Sequence, residues 1–167
     1  MNPTPWWAAG VGALVGVFLT IVFGWMRRKR HLSTAWSAIH AEMNVCHRTA
    51  VDYLRPGTPT MPLYRLPRAL YEGSIKTVIE EGDIREDELP LLIDFYSLAE
   101  QFDRGLDLAI SAQDAKEELR RKQEIERVRV KATHLAEDSY RPAISVVDNK
   151  CAKFRKVCWR AVLWLPA

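Results

Sequence analysis

Residues Trp6–Met26 read WWAAGVGALVGVFLTIVFGWM, and Arg27-Arg28-Lys29-Arg30 follows directly. No side chain in the first 26 positions is ionisable, and then four in a row are basic. The uncharged stretch is 21 residues long, which as an α-helix at about 1.5 Å per residue spans roughly 31 Å, the thickness of a bilayer's hydrocarbon core. The stretch predicts one membrane-spanning helix over residues 6–26. The rest of the chain is read from there.

Basic residues beside a span stay on the cytoplasmic side, and all of them here lie after it. Residues 1–5 are therefore expected outside as a short tail, with the basic juxtamembrane segment 27–33 and a domain over 34–167 in the cytoplasm. A cleaved signal sequence would place positive charge ahead of a shorter apolar core and end in small residues. This core instead runs into Phe23-Gly24-Trp25-Met26-Arg27, so retention is expected. Trp6, Trp7 and Trp25 fit the aromatic belts at the two interfaces. Small residues recur at every fourth position, at Ala8, Gly12, Gly16, Thr20 and Gly24, and Gly12 to Gly16 is a G-x-x-x-G. In lipid such a stripe lets a second helix, from another copy or another subunit, approach closely enough for dispersion contacts to hold it.

About 140 residues beyond the span suffice for one domain with a modest core. Cys46, Cys151 and Cys158 form no C-x-x-C pair, and on the reducing side of the membrane they are expected as free thiols. Charge alternates along the chain. Lys/Arg against Asp/Glu number six to two over 27–55, five to eleven over 56–112, seven to seven over 113–140 and six to one over 141–167. Both basic ends suit an anionic lipid surface. The acidic middle, centred on residues 80–107, suits a basic protein partner, or it pairs with the basic tail of its own chain.

The periodicity predicts helices throughout, and the fold class is all-α: one transmembrane helix followed by a small helical bundle, with room for a long helix. Leu32, Trp36, Ile39, Met43, Cys46, Ala50 and Tyr53 step by three and four, continuing the membrane helix to about Leu54. A Pro-rich loop over 55–67 ends it. Pro67 suits the first position of a short helix bearing Leu70, Tyr71, Ile75, Val78 and Ile79, and Gly82 suits its end. The run Asp83-Ile84-Arg85-Glu86, or else Asp87, is expected to cap a third helix bearing Leu92, Phe95, Ala99, Phe102, Leu106 and Ala109. Between Gly105 and Pro142 there is neither Gly nor Pro. The chain there is either one long helix or turns near Ser111–Asp114, followed by an amphipathic run with Leu119, Ile125, Val128, Ala132 and Leu135 on one side. Glu117/Arg121 and Glu118/Lys122 are placed for i,i+4 pairs. Pro142 is expected to open the last helix, whose apolar stripe is Ile144, Val147, Cys151, Phe154, Cys158, Ala161 and Leu165.

Chemistry is sparse. His40, Asn44 and His47 share a helical face, with Glu42 and Cys46 near, and imidazoles so spaced can hold a transition metal. The Glu-x-x-His pairs of di-iron bundles are absent. Glu100, Asp103 and Asp107 read as a solvated carboxylate row or a docking site for a basic partner. No nucleophile–base order, Walker loop or glycine-rich phosphate cradle occurs, so no catalytic residue, cofactor or metal site is assigned and no enzymatic activity is expected. Lys150, Lys153, Arg155, Lys156 and Arg160, with Trp159 and Trp164, resemble an interfacial membrane helix or a partner-binding face. Nothing beside them reads a nucleic-acid sequence, so no specific nucleic acid is expected.

The order of parts, with Ala41-Glu42-Met43-Asn44, a Pro-rich loop, a Tyr-containing helix and Leu-x-x-Phe-Tyr-x-x-Ala-Glu-x-Phe over Leu92–Phe102, resembles uncharacterised single-span helical membrane proteins of bacteria and phages. The similarity covers roughly residues 7–110. It implies a bacterial inner-membrane location and no activity, ligand or residue role. The expected function is a membrane-tethered interaction or scaffolding protein, an accessory subunit of a membrane assembly. The rival readings are a membrane-associated metal-binding or enzymatic bundle using His40 and His47, and a phage-type lysis or membrane-stress protein with its domain outside.

Overall fold

The computed structural model describes residues 6–55, 66–67 and 69–162; for 6–10, 69–70 and 155–162 the description is of the backbone alone. The tail 1–5, most of the Pro-rich loop, and Trp164 and Leu165 lie outside the described residues. Every regular element is helical, and no strand occurs among the described residues. The all-α reading holds.

The first helix, α1, runs unbroken from Trp6 to Leu54, 49 residues or about 74 Å. Its two halves have different surroundings. Large apolar side chains of the N-terminal half, among them Leu14, Phe18 and Ile21, are exposed among the described residues, whereas from Leu32 onward the expected stripe is buried. By length and composition the exposed half can cross a membrane. Arg27–Arg30 interrupts neither the hydrogen bonding nor the helix, since Lys and Arg are good helix formers.

Helix α2, Ala69–Glu80, begins two residues after Pro67, so the proline precedes it rather than opening it. Its end follows expectation. Gly82 takes φ +64°, its N–H reaches the Ile79 carbonyl (3.0 Å), and the Asp83 N–H reaches that of Val78 (3.1 Å). This is the paired-bond ending that a residue without Cβ permits at least cost. Val78 is buried, but Ile79, read as part of the same stripe, is half exposed.

Helix α3, Leu89–Asp114, starts with Pro90 in its first turn and has Glu88 at its cap position without a side-chain capping bond. The expected cap, the run Asp83–Glu86 or else Asp87, is not used. Ser111–Asp114 is no helix start either, since Ser111 Oγ donates back to the Asp107 carbonyl (2.9 Å) inside α3. The turn comes at 115–117, where Lys116 adopts φ +60° and the Glu117 N–H closes on the Ala112 carbonyl (2.9 Å). The chain thus turns just past Ser111–Asp114 rather than running on as one long helix, through a glycine-type ending built on lysine.

Helix α4, Glu118–Thr133, passes through a π-helical turn, His134–Ser139, into α5, Tyr140–Val162, with helical backbone at both joins. Pro142 therefore opens no helix. In a regular α-turn its ring would meet the carbonyl of Asp138, and the wide turn falls across that residue. Leu119, expected inward, is 80% exposed, while Glu124 takes a buried place ahead of Val128 and Ala132. Glu117 pairs with Arg120 at 3.2 Å in place of Arg121.

One continuous core joins the C-terminal half of α1 to the other helices: Trp36, Ile39 and Met43 of α1, Phe95 and Phe102 of α3, Val128 of α4, Leu135 of the π turn and Val147 of α5.

Candidate functional site: the polar seam of the first and last helices

The site is built on α1's second face. His40, Asn44 and His47 sit beside the core stripe, half-buried, and meet the π turn and α5. His40 Nε2 lies 3.1 Å from Asp148 Oδ1. Asn44 Nδ2 donates to the His40 carbonyl (2.8 Å), and its Oδ1 accepts the Tyr140 hydroxyl (2.7 Å). The Tyr140 ring stacks on His47 with centroids 3.8 Å apart. Burial lowers the His47 pKa below 6.5, opposed by its hydrogen bond with the Ala136 backbone. Burial raises that of Tyr140, and the charge of Asp148 adds to it. The π turn directs Tyr140 into this seam, and π turns recur at functional positions. Chemically the seam is an Asp148–His40 contact followed by hydrogen bonds from Asn44 to His40 and from Tyr140 to Asn44, with an imidazole stacked at its end.

The residues grouped with these histidines in sequence go elsewhere. Glu42 is buried on the far side, where its Oε2 accepts the Tyr71 N–H (2.7 Å), and Cys46 Sγ lies 3.4 Å from the Pro67 carbonyl as a weak donor. Among the described residues no three His, Cys, Asp or Glu side chains converge as a metal site would require.

The acidic row also divides. Glu100 pairs with Arg104, and Asp107 is exposed. Asp103 is buried, contrary to the solvated reading, because its Oδ1 accepts the Leu66 N–H (2.9 Å) and so holds the chain as it enters α2. Its charge, after burial itself, pushes Tyr53 up to about 12. Glu42, Cys46 and Asp103 thus fasten the chain on the far side of the Pro-rich loop.

A second polar cluster closes the other end of the domain. Asp83, delivered by the α2 ending, accepts the Trp36 indole N–H (2.8 Å) and pairs with Lys153 (3.1 Å). Lys150 Nζ pairs with Glu88 Oε2 (2.8 Å) and donates to the Asp83 carbonyl. Arg28 pairs with Glu81 and donates to its carbonyl. Burial pushes the Glu88 carboxyl up, but hydrogen bonds from Lys150 and the Arg85 amide, with both charges, outweigh it and hold the pKa below the usual range. The acidic middle is therefore met at these points by the chain's own basic residues. Lys150, read as an outward face, is nearly buried, whereas Lys153 stays largely exposed. Side chains of Arg155, Lys156, Trp159 and Arg160 lie outside the described residues, as does Trp164 altogether.

Along the apolar half of α1, Gly12, Gly16 and Gly24 have open space where a Cβ would stand, and Thr20 Oγ1 donates to the Gly16 carbonyl (2.9 Å). The side chain of Ala8 lies outside the described residues. Lys29 lies over the Trp25 ring at 3.6 Å.

No protein-family model, curated protein or solved structure matches this chain.

Proposed function

We propose that the chain is a membrane-tethered interaction or scaffolding protein, an accessory subunit of a membrane assembly. The observation that carries this reading is the contrast within α1, whose apolar N-terminal half is exposed among the described residues while its C-terminal half is the central strut of the bundle. An exposed apolar surface of that extent is stable in lipid and a liability in water. The helical continuity through Arg27–Arg30 supports a domain held rigidly close to the bilayer, with the basic band at the cytoplasmic interface. A rigid mount suits a subunit that presents a surface to a neighbour. The small-residue stripe supports packing of the span against another helix, from a second copy or another subunit.

The test is native mass spectrometry of the assembly extracted gently from its own membrane through a tag at Ala167. A reproducible heteromer reduced to the lone chain by the double substitution Gly12→Ile and Gly16→Ile is expected. Recovery of the wild-type chain in the soluble fraction, or as a monomer only, overturns the reading.

A further inference from the structure

Helix α5 returns along α1 in the opposite direction, and three contacts give the register. Tyr140 lies against Asn44 and His47, Asp148 against His40, and Phe154 shares a groove of about 530 Å³ with Ser33 and Ser37. Between the outer contacts α5 advances about 21 Å while α1 retreats about 17 Å, so the axes stay close to antiparallel. The α5 backbone continues from Phe154 to Val162, a further ~12 Å. That brings its end level with Trp25 and the Arg27–Arg30 band.

Trp159 and Arg160 fall close to that level, and Arg155 and Lys156 lie one to two turns short of it on the same stretch of α5. After Asp148 the chain contains five Lys or Arg and no Asp or Glu. Of those five, Lys150 and Lys153 reach acidic partners, Glu88 and Asp83, and Lys153 remains largely exposed while doing so. The positive charge thus accumulates at the level of the interface.

We propose that the C-terminal end of α5 docks on the anionic surface of the bilayer that holds α1. Arg155, Lys156 and Arg160 join the Arg27–Arg30 band, in which Arg28 also meets Glu81, as one basic collar, with position 159 at interfacial depth. The proposal rests on α1 as the anchor. It makes the domain's contact with the membrane two-point, which fixes its tilt as well as its height. Each basic residue near an anionic leaflet strengthens association about fivefold, so three together make a large lipid-dependent difference.

The experiment is hydrogen–deuterium exchange on the full chain in nanodiscs, either of phosphatidylcholine alone or of phosphatidylcholine with phosphatidylglycerol. Amides over 155–162 are expected to exchange about tenfold more slowly in the anionic discs. The triple variant R155Q/K156Q/R160Q is expected to lose that difference, while amides over 32–53 are unchanged in every sample. Equal exchange in the two lipids overturns the proposal. So does a variant that speeds exchange equally in both, since the segment would then be held by protein. Loss of the wild-type chain from both kinds of disc would overturn the anchor reading, and this proposal with it.

Discussion

At Gly105, α3 passes close against Val128 of α4. A methyl group there would stand 2.7 Å from Cγ2 of Val128, which is buried and, being β-branched, has little rotamer freedom. Alanine gains about 1 kcal/mol of helix propensity over glycine, but overpacking costs more. Gly105→Ala is expected to destabilise the domain by about 1–2 kcal/mol, read as a lower thermal midpoint in detergent. At His47 the effect is one of pH. Its folded pKa is lowered, so the unfolded chain takes up the proton first, and stability falls as pH drops below the usual 6.5 until the folded value is passed. Glu88, also lowered, loses its contribution in the same direction further down, below the usual 4.5. His47→Phe keeps an aromatic ring against Tyr140 and removes one titration. Its thermal midpoint is expected to vary less than wild type's between about pH 7 and pH 5. An unchanged slope would refute the assignment.

Among the elements, the α3–α4 turn carries the clearest strain. Lys116 occupies the left-handed region, which costs a non-glycine residue roughly 1 kcal/mol, in a hydrogen-bonded ending that glycine usually makes. Lys116→Gly is expected to raise stability by up to about 1 kcal/mol, partly offset by the greater freedom of glycine in the unfolded chain. A lower thermal midpoint would show that the lysine side chain contributes there. The sequence left this boundary open between one long helix and a turn near Ser111–Asp114, since no breaker residue marks it, and the turn falls just past Asp114. Pro142 misleads in the opposite sense, because a proline ordinarily reads as a helix boundary and here the π turn absorbs it. Gly82, by contrast, was legible because its ending uses the residue whose conformational range suits it.

Over the whole molecule, the α2–α3 connection is tied to α1 and α5 through charges that lie far apart in sequence. Lys150 and Glu88 are both nearly buried and within 2.8 Å, so removing one strands the other. Lys150→Met is expected to cost about 2 kcal/mol, and the Glu88→Gln/Lys150→Met pair about 1 kcal/mol less than the sum of the single changes. Thermal unfolding of the four proteins closes that cycle; strict additivity would mean the pair is not coupled.

The helical class, the long apolar N-terminal helix, its end at Leu54 and the core stripes of α1 and α3 were present in the sequence, because periodicity and side-chain hydration act over a few neighbouring residues. Tertiary structure decided the rest. It turned Asp103 inward to a backbone N–H, separated Glu42 and Cys46 from His40 and His47, and met Asp83 and Glu88 with lysines 62 to 70 residues away. A carboxylate's place depends on which donor the fold brings within about 3 Å, and the chain's local pattern carries no record of that donor until the helices have packed.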